Sequence, residues 1–141
     1  MIRKCISALL AATAIALASG ASAHVPGDMV QPNFSHTIPS IPGKSLIAVE
    51  VRYPPGGASA PHRHARSAFI YAYVVSGSIE SQVGTGPVRT YKAGESFYET
   101  PGARHLVSRN ASKTEPAKLL AVFVVDTGDT PLTTPLKQVS P

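Results

Sequence analysis

Three histidines have the type and spacing that chemistry would need. His62 and His64 are separated by one residue, and His105 follows about 40 residues later, just after Pro101-Gly102. In an extended strand, residues i and i+2 share a face. Both imidazoles of the pair can therefore reach one point while Arg63 faces away. A third imidazole arriving from the start of another short strand completes a set of three neutral nitrogen donors with at least one position left open. Such a set suits a divalent ion of Fe, Mn, Ni, Cu or Zn. The ion would bind oxygen and substrate, or activate water. Spacing alone is equally met by surface or hydrogen-bonded histidines.

Other residues are candidates around this centre. Glu99 lies shortly before His105, beside the Thr100-Pro101-Gly102 turn. It would either ligate the ion, orient a histidine from behind, or sit solvated on a rim. Glu99 and Tyr71 are the candidate proton handlers. Arg63, Arg66 and Arg104 flank the histidines and suit either an anionic substrate or a solvated rim. His24 would become a free N-terminus after export, its amine and imidazole together able to chelate copper. A polar arm that happens to begin with histidine is the simpler reading.

The elements that must hold these side chains read as strands. Residues 45–53 alternate Ile47, Val49, Val51 and Tyr53 against Leu46, Ala48, Glu50 and Arg52. Further strands are expected over 68–75, 78–83, 88–92, 96–99, 105–108 and 118–125, each closed by Gly, Pro or a short polar turn. The last is long enough to be buried on both faces. No stretch of the mature chain carries capped helical periodicity, and no repeat of 20 to 50 residues is present. This is an all-β pattern, a sandwich or small barrel. Its interior is lined either by Ile70, Ala72 and Val74 or by Phe69, Tyr71 and Tyr73. Residues 24–44 and 127–141, rich in Pro, Gly, Ser and Thr, read as extended N- and C-terminal arms around a barrel of residues 45–126.

Bulk properties narrow the class. The chain has 141 residues, the length of one domain. Arg3 and Lys4, an apolar run from Ile6 to Ala18 and then Ala21-Ser22-Ala23 form a secretory signal pattern over residues 1–23. The run is shorter than the roughly 20 apolar residues that cross a bilayer. A periplasmic or secreted protein, free of the membrane once cleaved, is expected. The single cysteine, Cys5, leaves with the signal, so neither a disulfide nor a thiolate ligand is available. Cleavage lowers the formal charge from +5 to +3. The remaining bases are scattered singly, without the clustered footprint of a nucleic-acid surface.

Glycines around the histidines carry a resemblance. Gly56, His62, His64 and Gly77 resemble the first conserved motif of the cupin superfamily, and Gly94, Gly102 and His105 its second. Sixteen residues separate Gly77 from Gly94, as in small single-domain cupins. The resemblance implies a double-stranded β-barrel of jelly-roll type with His62, His64 and His105 binding a divalent metal inside it. It also implies a small-molecule substrate or ligand and a homodimer. A dioxygenase-like oxidoreductase is the leading enzyme class that follows. The alternative is a non-catalytic small-molecule-binding module whose metal is structural or absent. The family's usual glutamate ligand would fall at Ala68, Phe69 or Ile70, none of them acidic. Thr100 stands at the second motif's usual proline, and Asn110 comes one residue late.

Overall fold

The structure, a computed structural model, describes residues 27–137. The segment expected to be a signal sequence, residues 1–23, and His24 lie outside the described residues. Ten strands make up the fold: β1 (Met29–Thr37), β2 (Lys44–Tyr53), β3 (His62–His64), β4 (Phe69–Ser76), β5 (Ser78–Val83), β6 (Arg89–Lys92), β7 (Ser96–Glu99), β8 (Arg104–Asn110), β9 (Ala117–Asp126) and β10 (Thr133–Pro135). Among the described residues there is no helix. Two five-stranded antiparallel sheets face each other. One runs β1-β2-β9-β4-β7 and the other β10-β3-β8-β5-β6. This is an all-β jelly roll, as the sequence predicts.

The period-two pattern decides which face is core. On β4, Ile70, Ala72 and Val74 are buried, while Phe69 and Tyr71 are 43% and 45% exposed. The first of the two alternative linings is the real one, and Tyr71 points away from the interior. On β9, Ala117, Leu119, Ala121, Phe123 and Val125 are buried, and the intervening residues up to Val124 are half-buried. β9 therefore has one inner and one outer face, where the apolar run suggests burial on both. Burying Leu119 or Phe123 stabilises the fold by about 1.5–3 kcal/mol each.

The turns need glycine where the backbone demands it. Gly77 links β4 to β5 at φ 71°, and a Cβ there would lie 2.7 Å from the Pro116 carbonyl oxygen and 2.9 Å from Ala117. Both the left-handed conformation and the close approach exclude a side chain.

The two flanking segments add strands to the sheets. β1 pairs along β2, with all nine of its residues exposed. β10 pairs with β3, Thr133 opposite His64 and Pro135 opposite His62. The C-terminal segment is thus placed against the strand that carries the histidine pair.

Candidate metal centre

β3 is three residues long, and its neighbours decide where its side chains point. His62 pairs with His105 across the β3–β8 ladder, and Arg63 with Arg104. The pleat sends both arginines outward, where they are exposed, and the histidines inward. The ring centroids of His62 and His64 are 4.7 Å apart, those of His62 and His105 5.1 Å, and those of His64 and His105 6.1 Å. One donor nitrogen from each lies within 4.8 Å of the other two. Arg66 is exposed, and none of the three arginines lines the cavity.

A bulge aims β8. Val83 pairs with His105 but Gln82 pairs with Val107, so Leu106 is an extra residue. Plain alternation would put His105 and Ser108 on opposite faces. With the extra residue both are buried, at 3% and 4% exposure.

Backbone and hydroxyl groups hold the rings from behind. The Nδ1–H of His62 donates to the Ala60 carbonyl at 2.7 Å. Nδ1 of His64 lies 3.3 Å from the Leu132 carbonyl and 3.3 Å from Thr133 Oγ1, both at the C-terminal segment. With Nδ1 protonated in each, Nε2 carries the lone pair that a metal needs. Nε2 of His105 is 2.9 Å from Ser81 Oγ, a hydroxyl able to donate or accept. Burial holds His62 below the ordinary histidine value, although the Ala60 carbonyl pulls the other way. The ring is therefore neutral near pH 7.

Glu99 completes the cluster. It is 3% exposed, with Oε1 3.1 Å from His105 Nδ1 and Oε2 3.4 Å from His64 Nε2. Burial pushes the carboxyl up, but His105 and His64 beside it outweigh that and hold it at about 2. Oε2 is buried and has no hydrogen-bond partner. With its Nδ1–H turned toward Leu132, His64 presents Nε2 to Glu99 Oε2 at 3.4 Å, and the two hold each other only through a positive charge shared between them, a proton or a metal ion in its place. Ligand atoms adjacent on one ion, each about 2.1 Å from it, stand about 3.0–3.4 Å apart. The two Glu99 contacts match that spacing. The residues present therefore fit a divalent ion: His62, His64, His105 and Glu99 would hold it, as a nitrogen-rich set with one carboxylate.

The position of Glu99 accounts for the departure in the first motif. Glu99 on β7 pairs directly with Ile70 on β4, and both face inward. The carboxylate absent from the β4 position enters from the adjacent strand. Tyr71 lies on the other face of the same sheet, paired with Tyr98, and is not in the cluster.

A cavity of about 270 Å³ opens beside the histidines. Its walls are largely apolar, with Val49, Val51, Leu119, Ala121 and Phe123 among them. Tyr53, Ser59 and Ser108 add a second polar region, and Asp28, just before β1, reaches its edge. The alternation grouped Tyr53 with Ile47, Val49 and Val51 without assigning the set to the interior, and gave no role to Ser59, Ser81, Ser108 or Thr133. Their partners are 24 to 69 residues distant in the chain, except for the six-residue Tyr53–Ser59 pair. Only the fold reveals them.

Comparison with known proteins agrees with this architecture. The sequence pattern of the family described as Cupin domain matches residues 49–123. No curated protein sequence matches the chain. An uncharacterized conserved protein with a double-stranded β-helix domain from Klebsiella pneumoniae superposes with a TM-score of 0.61 at 20% identity, covering 79% of this chain and 86% of that one. A DMSP lyase from Ruegeria pomeroyi gives 0.57 at 20% identity, over 68% of this chain and 45% of the lyase. A recombinant oxalate oxidase in complex with glycolate gives 0.58 at 23% identity, over 82% of this chain and 58% of the oxidase. The chain thus spans only about half the length of those two enzymes, and the likeness extends to the fold.

Proposed function

The chain belongs to the cupin domain family, and on that premise we propose that it is an exported metalloprotein that binds one divalent ion through His62, His64, His105 and Glu99 and acts on a small molecule in the adjoining cavity. The observation that carries this reading is the buried, unpartnered Oε2 of Glu99 aimed at the His64 lone pair. A cation between them satisfies both, whereas an empty site leaves a desolvated acceptor worth about 1–3 kcal/mol unmet.

The chemistry proposed is dioxygenase-like oxidation. When bound, a redox-active ion such as iron, manganese or copper supplies open coordination positions for oxygen and substrate. The chain's own residues do the rest. His62 and His64 are fixed by Ala60 and by Leu132 with Thr133, so their rings need no reorganisation. Glu99 contributes charge. The apolar walls exclude water from the substrate's body. Among structural neighbours, an oxalate oxidase and DMSP lyases act on small molecules. Loading the protein in turn with Fe, Mn, Ni, Cu and Zn and following oxygen uptake with short organic acids tests the reading. Uptake with one metal, lost in His62→Ala, supports it. No uptake with any metal would leave a ligand-binding module.

A homodimer is also part of the proposal. The outer face of the β1-β2-β9-β4-β7 sheet carries Phe34, Leu46, Val122, Phe69, Tyr71 and Tyr98 across all five strands. Phe34, Phe69, Tyr71 and Tyr98 are between 43% and 63% exposed. A face roughly 20 Å by 30 Å is about 600 Å² before side-chain relief. That approaches the ~800 Å² per partner of a stable interface. A second copy presents the same patch, so the two cover each other about a two-fold axis.

A further inference from the structure

Four polar side chains on the cavity wall form a hydrogen-bonded string that the metal reading does not use. Ser59 Oγ donates to Asp28 Oδ2 at 2.6 Å, Tyr53 Oη lies 2.9 Å from Ser59 Oγ, and Ser108 Oγ lies 2.7 Å from Tyr53 Oη. Tyr53 and Ser108 are 2% and 4% exposed. All four residues line the same cavity as the histidines.

The proton count fixes the direction of the string. A hydroxyl has one proton to give. Ser59 gives its proton to the Asp28 carboxylate, so Ser59 must accept from Tyr53. Tyr53 has then spent its own proton and must accept from Ser108. Each link donates toward Asp28, and the last, Ser108, is left with its lone pairs free. The cluster therefore offers the cavity acceptors and no donors. Burial also raises the Tyr53 phenol above its ordinary value, keeping it protonated.

We propose that the Ser108–Tyr53–Ser59 string, set in direction by Asp28, is the second anchor of the ligand, and that it selects a short organic acid bearing a hydroxyl at its far end. This rests on the proposed metal site for the position of the acid group. A carboxylate suits the histidine end. The distal group must be a donor, because only acceptors remain. It is a hydroxyl rather than an ammonium because the Ser108 end is uncharged and 4% exposed, with the Asp28 carboxylate at the opposite, exposed end, so a cation there would be desolvated without a partner. Size agrees. A cavity of about 270 Å³, at about 30 Å³ for each water-sized group, holds a ligand of roughly nine non-hydrogen atoms.

Calorimetry with 4-hydroxybutyrate and butyrate on the purified full protein, its metal content assayed in parallel, tests this. The wild type is expected to bind the hydroxy acid at least tenfold more tightly. Ser108→Ala removes the preference, Ser108→Thr restores it, and both keep the wild-type metal content. Tyr53→Phe gives a second reading if it folds, and the exposed Asp28→Ala a third. Freed of its carboxylate, the string can reverse, and the preference falls. Equal binding of the two acids by the wild type, no binding of either, or a preference that survives Ser108→Ala overturns the proposal. If the protein holds no metal yet keeps the preference, the metal reading fails and the anchor stands. If metal is present and the preference absent, the anchor alone fails.

Discussion

At the residue scale the account turns on Glu99. Its carboxylate is held at about 2 against an ordinary 4.5, so the stability it contributes is fully present above pH 4.5 and lost as pH falls through about 2. His62 is lowered from 6.5, so its contribution is complete above pH 6.5 and declines below it. Both losses run in the same direction. The melting temperature of metal-free protein should be level above about pH 6.5, fall below it, and fall again below about pH 4.5. The second fall should be absent in Glu99→Gln. The pairing of Glu99 with Ile70 allows a sharper test. Glu99→Ile should lower metal affinity at least tenfold, and adding Ile70→Glu should restore most of it, as isothermal titration would measure. A double variant no better than the single would separate Glu99 from the ion. The histidines were legible because an i, i+2 pair states its own geometry. Glu99 was ambiguous because nothing local says that β7 runs beside β4.

At the element scale, the strand carrying the histidine pair is only three residues long and depends on its neighbours. β10 holds it on one side, and the Leu132 carbonyl and Thr133 hydroxyl sit behind His64. Groups that orient a metal-bound histidine are commonly worth 10–100-fold in affinity. A chain ending at Pro131 should therefore fold, bind metal at least tenfold more weakly, and melt lower. Unchanged affinity would remove β10 from the site. β2 and β4 to β9 were readable from alternation and from the Gly and Pro residues that end them. β1 and β10 were not. β1 is exposed on every residue and so lacks a hydrophobic period, and three residues around Pro135 carry too little pattern. The Leu106 bulge was hidden for a related reason. An extra residue is defined only against the strand opposite, here β5.

At the scale of the whole molecule, one sheet of the jelly roll presents an apolar outer face that a lone chain leaves in water. Light scattering should report a mass twice that of one chain. Tyr98→Lys with Phe69→Lys should halve it, because the stacked Phe69–Tyr98 pair, with centroids 5.9 Å apart, lies on that face and outside the core. A monomeric wild type would contradict the dimer and leave the site untouched. Composition and motif order were enough to place the chain among jelly rolls. They did not separate inner from outer aromatics, since Phe69, Tyr71 and Tyr73 alternate as regularly as Ile70, Ala72 and Val74. The direct test of the whole account is elemental analysis of the purified protein beside its His62→Ala and His105→Ala variants. One divalent ion per chain in the wild type, lost in both variants while each keeps its β-sheet spectrum, is the predicted result. No stoichiometric ion in the wild type, even after Fe, Mn, Ni, Cu and Zn are each added back, would contradict it.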